Sequence, residues 1–196
     1  MAGCKLTKSL NNKLCEYAVA GASDLYLANY YPPVISTEAE APTAQANAIV
    51  YKTDADGYLT NIVLPTGEKW FKVNGSDGTI SFTDALLAGG NGGKYRQHTI
   101  NAVLNQNDVD VLDEGDALSL GRFIGAVVDK GGVARLLGRT GGLSAPAGGF
   151  DYNSGAAEAD ATGWTIIQQG TSTEIAPILK NIAVLTPLFE EAEIIP

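Results

Sequence analysis

Short runs of alternating or continuous apolar residues recur along the first half of the chain, and turn residues separate them. This spacing is typical of short strands joined by tight connections. The one exception is 84–88, Asp-Ala-Leu-Leu-Ala, whose composition predicts a helical turn. We predict strands at residues 24–30, 48–52, 58–64, 69–73 and 79–83, with Pro32-Pro33 ending the first of them.

The second half has a stronger pattern. Residues 107–120 predict a helix that Asn107 or Asp108 caps and Gly121 ends. Val111, Leu112, Gly115 and Leu118 are expected to share its inner face. The pattern also predicts strands at 95–103, 123–128, 133–138 and 164–170, with a hairpin turn at 129–132. Because residues 123–128 are mostly small or apolar, we expect that strand to lie centrally.

These elements predict a mainly β fold, a β-sandwich or barrel with one flanking α-helix and extended hairpins. The length of 196 residues suits one domain, 1–196. Four segments lack a regular pattern and are expected to be appendages of that domain. They are an N-terminal arm at 1–23, loops at 36–46 and 144–161, and a C-terminal arm at 175–196.

The charge of the chain limits its partners. Twenty-two acidic residues against 13 basic ones give a net charge of −9. Binding through nucleic-acid phosphates requires clustered Lys and Arg, so this balance argues against a nucleic-acid-binding protein. An acidic surface would instead let a nucleic acid pass without retention.

The N-terminal segment carries both cysteines, Cys4 and Cys15, which we interpret as reduced thiols. No stretch has the roughly 20 apolar residues that a membrane helix needs. Glu16 interrupts the only candidate core of a signal peptide. We therefore expect a protein made in a cytoplasm that does not bind membranes by itself.

Residues with catalytic or metal-binding chemistry are scarce. His98 is the single histidine, and a lone histidine in a strand is usually an ordinary polar position. No serine lies in a nucleophile elbow, and 138–142 lacks the Lys-Ser/Thr of a phosphate loop. We expect no enzymatic activity, no metal and no cofactor.

An ordered series of motifs between Lys94 and Gly170 resembles the tail tube proteins of long-tailed bacteriophages, especially those of Bacteroidota. The resemblance is carried by the order of these motifs rather than by any one of them. They are Tyr95-Arg96-Gln97-His98-Thr99-Ile100, Leu118-Ser119-Leu120-Gly121-Arg122, the hairpin from Phe123 to Gly132, the strand ending Leu136-Leu137-Gly138, Gly142-Leu143, Asn153-Ser154-Gly155-Ala156 and Gly163-Trp164-Thr165-Ile166.

The resemblance implies a structural virion protein that assembles into stacked hexameric rings. Hairpins from each subunit would join edge to edge and line a tube through which DNA passes. The implied location is the phage tail, after synthesis in the cytoplasm of a host bacterium. The implied partners are copies of this chain, a tape measure protein and a tail terminator, with transient, non-specific passage of DNA.

Alternation along 95–103 suggests which residues would face such a tube. Arg96 and His98 point to one side, and Gln97 and Thr99 to the other. We predict Arg96, His98 and Asp129 as lumen-facing residues, with Asp129 contributing to a negative field.

Two other classes of protein stay open. The first is another virion or secretion component, such as a head–tail connector, a terminator or the inner tube of a contractile injection system. The second is a carbohydrate-binding β-sandwich that would use Trp70, Trp164 and tyrosines, although core packing is the commoner role of such aromatic residues.

Overall fold

The computed structural model describes residues 20–36, 42–76, 78–90, 92–105, 108–155 and 162–188. Within these ranges the chain forms eleven strands, one α-helix, α1 (Val109–Leu120), and a short 3-10 helix (Ile182–Val184). The strands are β1 (Ala22–Asn29), β2 (Pro33–Ser36), β3 (Ile49–Thr53), β4 (Leu59–Val63), β5 (Phe71–Val73), β6 (Ser81–Ala88), β7 (Lys94–Leu104), β8 (Phe123–Asp129), β9 (Ala134–Leu137), β10 (Phe150–Asn153) and β11 (Gly163–Ser172). The predicted mainly β fold with one helix is confirmed.

The strands form three sheets. The central sheet has the order β5-β1-β8-β9, the long sheet the order β10-β11-β7-β6, and the small sheet the order β2-β3-β4. Pairing in the central and long sheets is antiparallel throughout. In the small sheet β2 runs parallel to β3.

The central sheet is buried on both faces, because alternate residues of its strands enter different cores. On β1, Tyr26 and Ala28 pack into a cluster shared with the small sheet. Leu25 and Leu27 pack into a second cluster, shared with the long sheet. The first five residues of β8 are all buried, which confirms that this strand lies centrally. The three sheets therefore stack as layers.

The apolar C-terminal segment, Ile175–Leu188, closes the edges of two sheets. Leu136 of β9 donates its amide to the carbonyl of Pro177, and Leu59 of β4 donates to that of Ile178, both at 2.9 Å. Leu179 and Leu185 are buried in the first cluster. The described part of the predicted C-terminal arm is thus bound to its own chain.

Helix α1 begins and ends as the sequence predicts. The Asp108 carboxylate accepts a hydrogen bond from the amide of Val111, and the amide of Gly121 donates to the carbonyl of Ala117. Val111 and Gly115 are buried, and Leu118 packs against the second cluster. The prediction that Leu112 shares this face is wrong, since its side chain is 60% exposed. One residue after Val111, it lies about 100° away around the helix.

Two short predictions are also wrong, and one strand is missed. Residues 84–88 belong to strand β6 rather than to a helical turn, because pairing with β7 outweighs their helix propensity. Strand β1 ends before Pro32-Pro33, as predicted, but Pro33 also begins the unpredicted strand β2, where an edge position tolerates a residue without an amide hydrogen. Loop 144–161 contains strand β10, paired with β11.

Candidate assembly surface

The long sheet has the most extended pairing in the described chain. Strand β7 pairs with β11 from Leu104↔Trp164 to Arg96↔Ser172, and with β6 from Asn101↔Ser81 to Lys94↔Ala88. The two strands β6 and β7 form one hairpin around the glycine-rich connection at 89–93. Directly paired residues share a face, so this register fixes which side chains lie on each side of the sheet.

One face of the long sheet points away from the core and is polar but almost uncharged. None of its fifteen residues is buried. Gln169 crosses between strands by donating a hydrogen bond to the hydroxyl of Thr99 at 3.2 Å. Asp151 carries the only charge among the strand residues on this face. We call it the neutral face; it consists of Ser81, Thr83, Ala85, Leu87, Tyr95, Gln97, Thr99, Asn101, Val103, Asp151, Asn153, Thr165, Ile167, Gln169 and Thr171.

Strand β6 is one edge of the long sheet and β10 is the other. No described residue forms a backbone hydrogen bond with the outer edge of β6. Proteins usually protect such an edge with Lys, Pro or a bulge. The β6 sequence, Ser-Phe-Thr-Asp-Ala-Leu-Leu-Ala, contains neither Lys nor Pro. Its single charged residue, Asp84, lies on the core side and is paired there with Arg96.

Asp84 is the centre of a polar cluster on the core side of the hairpin. Its carboxylate accepts hydrogen bonds from Nε of Arg96 and, at 2.9 Å, from the amide of Ala176. Burial alone would raise the pKa of Asp84, but these two hydrogen bonds lower it below its ordinary value. The cluster therefore ties β6 to β7 and to the C-terminal segment.

His98 lies beside Asp84 and is only 1% exposed. Its Nδ1 accepts a hydrogen bond from the amide of Gly138 at 3.2 Å, and its Nε2 lies 3.4 Å from Oδ1 of Asp84. Burial lowers the pKa of His98, although the neighbouring Asp84 carboxylate acts in the opposite direction. The neutral imidazole thus joins the long sheet to the end of β9 in the central sheet.

A second ion pair lies next to this cluster. Arg139, just after Gly138, donates from Nε to Glu174 at 2.8 Å and makes a second hydrogen bond to the same carboxylate. Its guanidinium also lies over the ring of Tyr51, 5.6 Å from the centroid. Such a two-point pair fixes direction as well as position. It holds the connection that follows β9 against the start of the C-terminal segment.

The structure separates the residues that the sequence predicts as lumen-facing. Arg96 and His98 lie on the core side of the long sheet, opposite the neutral face. Successive residues of a strand point to opposite faces, and Gln97 and Thr99 occupy the neutral face. His98 therefore has almost no side-chain surface with which to face a bore. Asp129 lies elsewhere, at the end of β8, where its carboxylate accepts a hydrogen bond from the amide of Val133 at 2.8 Å.

The tryptophans have different surroundings. Trp70 is completely buried in the first core cluster, as expected for a packing residue. Trp164 stacks on Phe150, with centroids 4.7 Å apart, and Tyr152 lies against its ring at 5.2 Å. Both contacts lie on the core side of the long sheet, where Phe150 also meets helix α1 at Gly115. Trp164 and Phe150 are thus partly buried within the chain, whereas Tyr152 stays 43% exposed.

Several predictions fall outside the described residues. They concern Cys4, Cys15 and Glu16, the first nineteen residues of the N-terminal arm, residues 37–41 of loop 36–46, residues 156–161 and the last eight residues. No three His, Cys, Asp or Glu side chains lie together as metal ligands in the described ranges. No helix within them is long and apolar enough to cross a bilayer.

No protein-family model matches the chain, and neither a curated protein nor a solved structure matches it.

Proposed function

We propose that this protein is a structural, self-assembling subunit of the tail-tube type, and that its long sheets join edge to edge in a ring. The observation that carries the proposal is the outer edge of β6, which is eight residues long and contains neither Lys nor Pro. A second copy would satisfy its backbone groups by adding a strand.

Strand direction supports a ring of identical copies. The four strands β10, β11, β7 and β6 alternate in direction, so the two edge strands run in opposite directions. Rotation about an axis roughly parallel to the strands keeps the direction of every strand. It would place β6 of one copy antiparallel to β10 of the next, the geometry already used inside the sheet.

The size of such a ring follows from strand spacing. Strands lie about 4.8 Å apart, so each copy would contribute about 19 Å of circumference. Six copies, the number implied by the resemblance to tail tube proteins, would give a barrel about 37 Å across before any tilt of the strands is counted. Tilt would widen the barrel further.

The neutral face is suited to the inside of that barrel. The core covers the opposite face, so the neutral face is the side of the sheet left to line a bore. It carries Thr, Gln, Asn and Ser but neither Lys nor Arg, which are the residues that hold phosphates. Transient, non-specific passage of DNA requires such a wall. The proposal therefore replaces the predicted wall of Arg96, His98 and Asp129 with a neutral one.

This assignment extends to location and partners. The protein would belong to the virion tail, where it would meet a tape measure protein inside the tube and a terminator at its end. A connector or terminator would use the same edge pairing but would stop at one ring. Electron microscopy of assembled protein distinguishes stacked tubes from single rings.

The test of edge pairing compares two lysine variants on the same face. Thr83→Lys adds a charge to the edge strand β6, whereas Thr171→Lys adds it to the interior strand β11. Both threonines are exposed. We expect Thr83→Lys to raise the protein concentration needed for ring or tube formation at least tenfold, and Thr171→Lys to change it less than threefold.

Assembly would be followed by light scattering and negative-stain microscopy over a concentration series. Circular dichroism would confirm that both variants fold. A wild-type chain that stays monomeric at every concentration, with and without tail-initiating proteins, would refute self-assembly. Equal effects of the two variants would refute pairing through β6.

A further inference from the structure

Helix α1 has two apolar faces, and the fold uses only one of them. The inner face carries Val111, Gly115 and Leu118. The opposite side exposes Val109 by 66%, Leu112 by 60% and Leu120 by 83%. At 100° per residue these three side chains fall within an arc of about 80°. We call this stripe the outer face of α1.

Acidic residues lie within the stripe and along one side of it. Asp116 lies between Leu112 and Leu120 on the helix surface, Asp113 lies about 20° beyond Leu120, and Asp110 and Glu114 follow farther around the same side. The helix contains no Lys, Arg or His. None of these four carboxylates forms an ion pair with another described residue. An apolar stripe with this border fits a ligand that combines large apolar side chains with positive charges.

The chain itself contains such a ligand in residues 1–19. This segment has three lysines and one glutamate, a charge of +2, so the rest of the chain, with a total of −9, carries −11. Its sequence from Lys5 to Leu14 is Lys-Leu-Thr-Lys-Ser-Leu-Asn-Asn-Lys-Leu. Leu6, Leu10 and Leu14 recur at every fourth residue, and the acidic residue comes after them.

The point of attachment allows the segment to reach the helix. The amide of Ala22 donates to the carbonyl of Ile80 at 3.0 Å, just before β6. Ser81 at the start of β6 pairs with Asn101, near the end of β7 that leads into α1. Nineteen extended residues span about 65 Å, and α1 is about 18 Å long. The segment is therefore long enough to contact α1.

We propose that the outer face of α1 is a docking site for residues 1–19 of this chain. Leucines of the segment cover Leu112 and its neighbours, and its lysines pair with the acidic border. The proposal concerns the folded chain and does not depend on ring assembly, because a segment of the same copy or of a neighbouring copy can fill the site. The contact would cover the most exposed large apolar side chains of the helix.

Photocrosslinking in the full-length chain tests the location. A benzophenone amino acid would replace Leu112 in one variant and Ile175 in a control, where the native side chain is similarly exposed at 63%. We expect the probe at 112 to cross-link to residues 1–19 and the probe at 175 not to do so. Cross-links from position 112 to α1 of a second copy, to other residues or to none would overturn the proposal.

Tryptic cleavage after Lys8 and Lys13 tests the charge pairing. Asp116→Lys reverses one charge within the stripe, and Asp56→Lys makes the same change in an exposed turn between β3 and β4. We expect cleavage at both lysines to be at least tenfold faster in Asp116→Lys than in wild type, and unchanged in Asp56→Lys. High salt should accelerate cleavage of the wild-type chain.

Mass spectrometry would follow each site separately, so the new lysine does not confuse the measurement, and thermal melting would confirm that both variants fold. Equal cleavage rates in the two variants would overturn the proposal. So would a wild-type rate equal to that of the free peptide 1–19. Because both measurements are made on dilute protein, they succeed or fail separately from ring formation.

Discussion

The imidazole of His98 accepts a hydrogen bond from the amide of Gly138, forty residues later, with Nδ1 3.2 Å from the amide nitrogen. His98 lies in the long sheet, and Gly138 follows the last strand of the central sheet. The residue after Gly138 is Arg139, which pairs with Glu174. A single neutral side chain thus fixes the approach of two sheets and the connection that holds the C-terminal segment.

Removing this acceptor should destabilise the chain. In His98→Val the amide of Gly138 would remain buried without a partner, at a cost of about 1–3 kcal/mol of the free energy of unfolding. His98→Asn is the matched control, because its side-chain oxygen can take the place of Nδ1 and should recover more than half of the loss. Urea denaturation measures both variants. Equal losses would show that the hydrogen bond to Gly138 contributes little.

Stability should also depend on pH through His98. Its pKa is lower in the folded chain than the ordinary 6.5, mainly because of burial, while Asp84, Arg96 and Glu174 surround it. The unfolded chain therefore takes up the proton first. Stability is complete above pH 6.5 and falls as the pH drops below that value, by at most about 1.4 kcal/mol per pH unit for one proton.

The same measurement in His98→Asn should give a flatter profile between pH 7 and pH 5. His98 is the only histidine of the chain, so no other side chain has an ordinary pKa in that interval. Asp84, whose pKa is also lowered in the folded chain, loses its contribution only at more acidic pH, below its ordinary 3.8. Identical slopes for wild type and variant would exclude His98 as the titrating group.

Gly125 of β8 allows a close approach between the central and long sheets. A Cβ at this position would lie 2.3 Å from Cδ1 of Ile100. We expect Gly125→Ala to destabilise the chain by about 1–3 kcal/mol through overpacking. Ile100→Val, which removes Cδ1, should cost about 1 kcal/mol alone. In the double variant, Ile100→Val should recover part of the stability that Gly125→Ala loses. Purely additive losses in a double-mutant cycle would contradict this contact.

A side chain at Gly170 of β11 would meet backbone atoms rather than another side chain. A Cβ there would lie 2.1 Å from the backbone carbonyl oxygen of Gly142, which cannot change rotamer. Gly170→Ala should therefore cost more than Gly125→Ala, about 3 kcal/mol or more, and no side-chain truncation nearby should restore it. Thermal unfolding compares the two variants directly. A smaller loss for Gly170→Ala would mean that the segment around Gly142 can move away.

The elements that can be predicted from the sequence are those in which the apolar pattern and the turn or capping residues indicate the same structure. The hairpin of β8 and β9 has an Asp-Lys-Gly-Gly turn between two apolar runs, and α1 has both a capping aspartate and a terminal glycine. The alternation of side chains along β7 is also predictable, because successive residues of any strand point to opposite faces. Which side of β7 faces the core is not predictable in the same way, because it depends on Asp84 and Gly138, partners that are distant in sequence.

The elements that the sequence analysis misses depend on tertiary contacts. Strand β2 is formed by parallel pairing with β3. Strand β10 lies in a glycine-rich segment and is formed by antiparallel pairing with β11. Residues 84–88 have helix-forming composition, yet eight paired positions along β7 determine their conformation. The outer edge of β6 depends on this pairing, because a helical turn at residues 84–88 would not present a strand edge.

The burial of β1 between two cores has a consequence for synthesis. Its main partner is β8, paired from Asn29 with Phe123 to Ala22 with Asp129, about a hundred residues later in the chain. At 5–20 residues per second, a ribosome needs about 5–20 s to make the intervening segment. During that time only the three-residue strand β5 is available to pair with β1, which is apolar on both sides. Raising the expression level should therefore lower the yield of folded protein, while the free energy of unfolding of the folded chain stays unchanged.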